Sequence, residues 1–138
     1  MKKNIFLAAA VALGTMLMAT PVFAGNNGWN RDNRGWWYQF SNGSYARSSW
    51  VSVNNSWYFM DASGYMQTGW LNDGSGWYYL DTNNGNMCMG WVNVNGNWYY
   101  MNPANGGRML ANGYTPDGYY VDGNGVYRPG VGTAQSVG

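Results

Sequence analysis

Short aromatic runs alternate along the chain with polar segments that are rich in Gly and Asn. Within residues 69–91, a Gly-Trp pair is followed by the triplet Trp-Tyr-Tyr at 77–79, a turn-forming run at 82–85 and Met87, and then a second Gly-Trp pair. An aromatic strand, a polar turn and a second strand predict a β-hairpin. One hairpin cannot bury its own apolar face, so several copies are needed for a stable fold.

The same order of residues recurs at a fixed period. The triplets begin at Trp37, Trp57, Trp77 and Trp98, which gives spacings of 20, 20 and 21 residues. A degenerate fifth copy has Gly118 in place of the first Trp of the triplet. A fixed period of this size is typical of an array in which each unit contacts its neighbours. The sequence therefore predicts an all-β solenoid of stacked β-hairpin repeats of about 20 residues.

Both faces of each predicted triplet strand are apolar or aromatic. Because successive strand residues point to opposite faces, Trp57 and Phe59 share one face, and Tyr58 and Met60 share the other. One face is predicted to form the stacking core, and the other to lie in a groove between units or in solvent. The middle residues of the triplets are interpreted as packing residues: Tyr58, Tyr78 and Tyr99.

The segments outside the repeats differ from them in composition. Residues 1–24 combine two lysines, an apolar run and a small-residue cleavage site, which together are typical of a secretory signal peptide. The apolar run is short for a transmembrane helix, so no membrane insertion is expected after cleavage. Residues 25–34 are predicted to be a lead-in segment, 35–127 the repeat module and 128–138 a flexible tail.

Composition narrows the chemistry that the chain can perform. Aromatic residues make up 18% of the 138 residues and charged residues only 9%, so Trp and Tyr must build the core. The formal net charge of +1 gives no electrostatic footprint for nucleic acid. Cys88 is the only cysteine, which excludes a disulfide framework.

No catalytic or metal-binding constellation is visible in the sequence. There is no His, and no nucleophile is paired with a base, so no catalytic residue is predicted. Asp61, Asp81 and Asp122 recur at the repeat period and are interpreted as turn-entry residues rather than as metal ligands. We expect no cofactor, no metal and no enzymatic activity.

The unit formed by Gly-Trp, six residues, Trp-Tyr-Tyr, Gly-x-Met and Gly-Trp resembles the choline-binding, or cell-wall-binding, repeat family of Gram-positive surface proteins and phage lysins. The resemblance covers residues 35–127. It implies a superhelical stack of hairpins with aromatic cages between consecutive units. Carried over by position, three choline cages are implied: Trp50, Trp57 and Tyr79; Trp70, Trp77 and Tyr100; and Trp91, Trp98 and Tyr120.

A weaker fourth cage is implied at the start of the array by Trp29, Trp37 and Phe59. Trp29 lies eight residues before Trp37, whereas the other copies have a spacing of seven. At the end of the array, Asn112 stands where the next Gly-Trp tryptophan is expected, so no cage is implied beyond it.

The resemblance implies a non-catalytic, secreted module at the Gram-positive cell surface or cell wall. It would attach to the choline residues of teichoic or lipoteichoic acid. Two alternatives stay open: a glucan-binding repeat protein whose aromatics stack on sugar rings, and a structural scaffold without a ligand. Terminal repeats could also pair across a two-fold axis to form a homodimer.

Overall fold

The computed structural model describes residues 26–131, so the predicted signal peptide and the last seven residues of the tail lie outside it. These residues form strands and one short 3-10 helix at Pro103–Asn105, with no α-helix in the described range. The strands are β1 Gly28–Arg31, β2 Trp36–Gln39, β3 Ser49–Val53, β4 Ser56–Met60, β5 Gly69–Asn72, β6 Trp77–Leu80, β7 Gly90–Val94, β8 Asn97–Asn102, β9 Arg108–Met109, β10 Gly113–Tyr114 and β11 Tyr120–Val121. Among the described residues, no helix is long and apolar enough to cross a membrane.

The strands pair as hairpins in chain order. The sheets are β1-β2, β3-β4, β5-β6, β7-β8-β9 and β10-β11. The predicted fold class, an all-β solenoid of hairpin repeats, is confirmed. The described chain divides into two compact units, an N-terminal unit of residues 26–69 and 80–87 and a C-terminal unit of residues 70–79 and 88–131.

Two of the hairpins close through two-residue turns that the sequence encodes directly. Asn54 and Asn55 have φ values of 50° and 67°, and Asn95 and Gly96 have values of 50° and 89°. Positive φ at both central residues matches the right-handed twist of the flanking strands, and Asn and Gly adopt it at low cost. The Gly-Trp strand is therefore paired directly with the triplet strand that follows it.

The Met-bearing segment after each triplet is shorter than the sequence suggested. It was predicted to be the second strand of the hairpin, but it contributes only an isolated bridge in two repeats, Met60 with Met66 and Leu80 with Met87. The Gly-Trp strand, with four or five paired residues, is the true partner. The intervening turn is held by an aspartate, as predicted: Asp61 Oδ1 accepts hydrogen bonds from the backbone N–H groups of Ser63 and Tyr65.

The core of the array lies at the end of each triplet strand. The residues at this position are completely buried: Met60, Leu80, Met101 and Val121. Each pairs with the bridging segment of its own repeat. The bridging segment also joins consecutive repeats, because the Met66 N–H donates to Trp36 O at 2.7 Å and the Met87 N–H donates to Trp57 O at 2.8 Å.

These hydrogen bonds show that the first triplet begins one residue earlier than the sequence predicts. Trp36, not Trp37, accepts the bond that Trp57 accepts in the next repeat. Gln39 bridges to Tyr45 as Met60 bridges to Met66. Trp29 then precedes Trp36 by the usual seven residues, and its strand β1 falls within the segment interpreted as a lead-in.

The last hairpin also differs from the sequence reading. Tyr114 pairs with Tyr120 as Trp91 pairs with Tyr100, so Tyr114, rather than Asn112, occupies the Gly-Trp position. The prediction is wrong because the connection before this hairpin contains the additional 3-10 turn. The turn lengthens the spacing in sequence between the repeats without changing the strand pairing.

Candidate functional site

Each of the first four hairpins has a tryptophan face, which carries two tryptophans and the third triplet residue. In the first hairpin, cross-strand pairing places Trp29 opposite Tyr38 and Arg31 opposite Trp36, so these four side chains share that face. The opposite face carries the middle triplet residue. Within a unit, the tryptophan face of one hairpin meets the opposite face of the next, and aromatic pockets form between them.

The first of these, the Trp29 pocket, lies in the N-terminal unit. The rings of Trp29 and Trp36 stand at 90° to one another with centroids 6.3 Å apart, and Tyr58 of the next hairpin lies 4.8 Å from Trp29. The cleft measures about 440 Å³. Its lining is completed by Ser56, Met66, Asn83, Asn84 and Asn86, so one side of it is polar.

The Trp70 pocket repeats this geometry in the C-terminal unit. The rings of Trp70 and Trp77 are 6.2 Å apart at 87°, and Tyr99 lies 4.8 Å from Trp70. Met109 lines the cleft, which measures about 350 Å³, together with the turn residues Gly123 and Asn124. The ring geometry agrees with that of the Trp29 pocket, so different copies of the repeat build the same kind of pocket in the two units.

The Trp91 pocket is lined by four aromatic rings, those of Trp91, Trp98, Tyr119 and Tyr127, around about 380 Å³. Tyr127 stands where the other two pockets have a Met, because its N–H donates to Trp98 O as the Met66 N–H donates to Trp36 O. Trp91 lies 6.3 Å from Tyr119 and 5.9 Å from Tyr127. The degenerate fifth repeat thus completes a pocket although it has lost its own triplet tryptophan.

The Trp70 and Trp91 pockets contain the predicted tryptophan pairs, Trp70 with Trp77 and Trp91 with Trp98, but other tyrosines close them. In the first pocket, Trp36 takes the place predicted for Trp37. The third triplet residue lies against the Gly-Trp tryptophan of its own hairpin: Phe59 is 5.3 Å from Trp50, Tyr79 is 5.0 Å from Trp70, and Tyr100 is 5.2 Å from Trp91. Tyr120 similarly lies 5.3 Å from Tyr114. The pockets are instead closed by the middle triplet residues Tyr58, Tyr99 and Tyr119. The sequence predicts a packing role for two of them, Tyr58 and Tyr99.

Strand alternation explains this difference. The third triplet residue shares the tryptophan face of its own hairpin, so it points away from the preceding repeat. Only the middle residue projects back toward the tryptophans of that repeat. Alternation along the triplet, combined with stacking of identical units, is a signal that could have identified these tyrosines from the sequence.

Trp37 and Trp50 lie in buried surroundings. Trp37 is 6% exposed and packs with Tyr45 and Tyr65, on the face away from the Trp29 pocket. Trp50 is 9% exposed and lies against Phe59. By contrast, Trp36, Trp77 and Trp98 expose 38–45% of their surface, which leaves their rings accessible at the pockets.

Two charged groups lie beside pocket tryptophans. The Arg31 guanidinium carbon is 5.5 Å from the centroid of the Trp36 ring. The Trp91 indole N–H donates to Asp117 Oδ2 at 3.3 Å, and the Thr115 hydroxyl donates to Asp117 Oδ1 at 2.6 Å. The hydrogen bond from Thr115, followed by that from Trp91, holds the pKa of the Asp117 carboxyl below its usual range. The carboxyl is therefore ionised at neutral pH.

Comparison with known proteins places this architecture. The choline-binding repeat family matches residues 46–90, and the cell wall binding repeat family matches residues 89–106. A lysin of Pneumococcus phage Dp-1 is 39% identical over 41 residues, which are 28% of this chain and 14% of the lysin.

Two solved structures from Streptococcus pneumoniae are similar over 75% of this chain. Choline binding protein F, solved in the presence of a peptidoglycan analogue, is 40% identical with a TM-score of 0.68 over 33% of its own chain. CbpJ from strain TIGR4 is 42% identical with a TM-score of 0.68 over 34% of its own chain. The present chain spans about a third of these solved chains and about a seventh of the lysin. With the family matches and the hairpin array in agreement, residues 46–106 belong to the choline-binding, or cell-wall-binding, repeat family.

Proposed function

We propose that this chain is a non-catalytic, secreted module that attaches to choline residues of teichoic or lipoteichoic acid at the Gram-positive cell wall. The observation that carries the proposal is the pocket built from two tryptophans of one repeat and a tyrosine of the next, seen in the Trp29, Trp70 and Trp91 pockets. Support also comes from choline binding protein F, which was solved in the presence of a tetrasaccharide-pentapeptide analogue of peptidoglycan.

The chemistry of the pockets suits a quaternary ammonium. Such a group has a diffuse positive charge and no hydrogen-bond donor, so aromatic faces hold it through cation–π attraction of about 0.5–2 kcal/mol per contact. The roughly perpendicular rings of Trp70, Trp77 and Tyr99 offer several such surfaces around one cleft. One pocket would bind free choline weakly, and several pockets on a polymer would gain affinity through effective concentration.

Titration of the chain with choline tests this proposal. We expect tryptophan fluorescence and the unfolding temperature to respond at about millimolar choline, with glucose oligomers and the neutral isostere 3,3-dimethyl-1-butanol as comparison ligands. Trp98→Ala should remove the Trp91 pocket, since it deletes one wall. Tyr114→Ala is the matched control, because Tyr114 is also an exposed aromatic but lies outside the described pockets. Absence of any choline response in the wild-type chain would contradict the proposal.

A second candidate function, glucan binding, is favoured by one observation. Three asparagines, Asn83, Asn84 and Asn86, line the Trp29 pocket, and their amide groups can donate to and accept from sugar hydroxyls. In that case glucose oligomers would raise the unfolding temperature while choline would leave it unchanged. The same titration therefore distinguishes the two functions.

Gly125→Ala is expected to weaken choline binding at the Trp70 pocket. Gly125 has a φ of +83°, and a Cβ there would overlap the sulfur of Met109, which lines the pocket. Met109 would have to leave its present position in the pocket lining, and the left-handed backbone would cost about 1–2 kcal/mol of stability. Gly96→Ala has the same backbone strain (φ +89°) with no atom within 4 Å, so it isolates the effect of the Met109 contact. Equal choline affinities of the two variants at the Trp70 pocket would contradict the role of Met109 in its lining.

A further inference from the structure

The three pockets differ in the charge that lies beside their tryptophans. In the Trp91 pocket, a carboxylate accepts the hydrogen bond of the indole nitrogen, with Trp91 Nε1 3.3 Å from Asp117 Oδ2. In the Trp29 pocket, the neighbouring charge is the Arg31 guanidinium over Trp36. Among residues 26–131, no carboxylate hydrogen-bonds to the indole of Trp70 or Trp29. The hydrogen bond to a carboxylate thus distinguishes the Trp91 pocket from the Trp29 and Trp70 pockets.

The carboxylate is fixed by the turn that also places a pocket wall. Thr115 is 3% exposed, and its hydroxyl donates to Asp117 Oδ1 at 2.6 Å. The Tyr119 N–H donates to the same hydroxyl oxygen at 3.0 Å. The buried Thr115 therefore positions both the Asp117 carboxylate and Tyr119, which lines the pocket. The Asp117 carboxylate is held by Thr115 through one oxygen and by Trp91 through the other.

The negative charge of Asp117 is not neutralised locally. Over the described range, neither a Lys nor an Arg forms an ion pair with it. A hydrogen bond from an indole N–H to a carboxylate polarises the ring, and this makes the ring face more negative. The charge itself also attracts a cation over that face. Both effects act on ligand charge and neither acts on a neutral ligand of the same shape.

We propose that Asp117 makes the Trp91 pocket selective for cationic over neutral ligands of the same shape. The inference rests on the proposed function, and it adds a specificity-determining residue that acts through Trp91. The pocket would take compact quaternary ammonium groups, held by Trp91, Trp98, Tyr119 and Tyr127. The Trp70 pocket, which has no carboxylate hydrogen-bonded to its tryptophan, would discriminate less between charged and neutral ligands.

Site-resolved titration tests this inference. The chain has 9 tryptophans, and with ¹⁵N-labelled indoles each gives one N–H resonance. The resonance of Trp91 is assigned with Trp91→Phe and that of Trp70 with Trp70→Phe. Choline and 3,3-dimethyl-1-butanol are then titrated into the wild-type chain, Asp117→Asn and the charge control Asp73→Asn. Asp73 caps a turn by accepting from Ser75 and lies outside the lining of the Trp91 pocket.

Asp117→Asn keeps an oxygen that can accept from Trp91, so it removes the charge and retains the shape. We expect it to raise the choline dissociation constant at Trp91 about three- to tenfold and to change that of the neutral isostere less than about twofold. The affinity at Trp70 should not change, and Asp73→Asn should behave as the wild type at Trp91. Added NaCl should reduce the wild-type advantage, because exposed charges are screened.

The outcomes separate a failure of this inference from a failure of the proposed function. Equal weakening of both ligands by Asp117→Asn would show a purely structural role and overturn the inference. An unchanged choline affinity in Asp117→Asn would overturn it as well. If choline moves no indole resonance in the wild-type chain, the proposed function itself fails, and the inference falls with it.

Discussion

Trp37→Ala is expected to lower the free energy of unfolding by about 3–5 kcal/mol, and Trp36→Ala to change it by less than about 1 kcal/mol. The two residues are adjacent and chemically identical, but the strand directs their side chains to opposite faces. Trp37 is 6% exposed and packs with Tyr45 and Tyr65, so its removal leaves a cavity. Trp36 is 38% exposed, so its removal leaves little buried volume empty.

The effects on ligand binding should be reversed. Trp36 is a wall of the Trp29 pocket, so Trp36→Ala should weaken choline binding there about tenfold, which equals the loss of one cation–π contact of about 1.4 kcal/mol. Trp37→Ala should retain binding in the fraction of molecules that remains folded. Urea unfolding gives the stabilities, and the indole resonance of Trp29 reports the site. If Trp37→Ala removes the site while Trp36→Ala spares it, the register of the first repeat is wrong.

Met101→Ala is expected to destabilise the fold by about 2–5 kcal/mol. Met101 is completely buried, and it pairs with Gly90 on one side and Met109 on the other, at the centre of the three-stranded sheet β7-β8-β9. Its removal leaves a cavity that the paired backbones cannot close. Since each repeat in an array is stabilised by its neighbours, the loss should also reduce the cooperativity of unfolding.

Met89→Ala is the matched control for this prediction. Met89 is 47% exposed, so the same atoms are removed from a site that is already partly in water, and the change in stability should stay within about 0.5 kcal/mol. Thermal unfolding measures both variants, with about 4–8 °C expected for each kcal/mol in a domain of this size. Equal losses in the two variants would show that burial at the end of the triplet strand does not determine the stability of the array.

The local elements of this fold could be predicted from the sequence because their causes are local. Asn-Gly and Asn-Asn turns impose positive φ, and the aromatic triplets supply strands that need a covered face. The tryptophan pairs of the pockets, such as Trp70 with Trp77, also follow from a spacing of seven residues across one hairpin. The turn role of Asp61 is likewise local, since its carboxylate bonds to backbone groups two and four residues away.

The tertiary structure decided what depends on the contact of one hairpin with the next. Tyr99, not Tyr100, closes the Trp70 pocket, because stacking brings the tryptophan face of one hairpin against the opposite face of its neighbour. Trp36, not Trp37, is the first residue of the first triplet, because it accepts the hydrogen bond from Met66 that joins consecutive repeats. The Trp-Tyr pattern in the sequence does not show this bond.

The hydrogen bond between Trp91 and the Asp117 carboxylate could not be predicted from local sequence patterns. Asp117 and Trp91 are 26 residues apart, and no periodicity connects them. Sequence determines which side chains share a face of one hairpin, since that follows from strand alternation. Packing between hairpins determines which faces meet and which groups then come within hydrogen-bonding distance, since those depend on the position of whole elements in space.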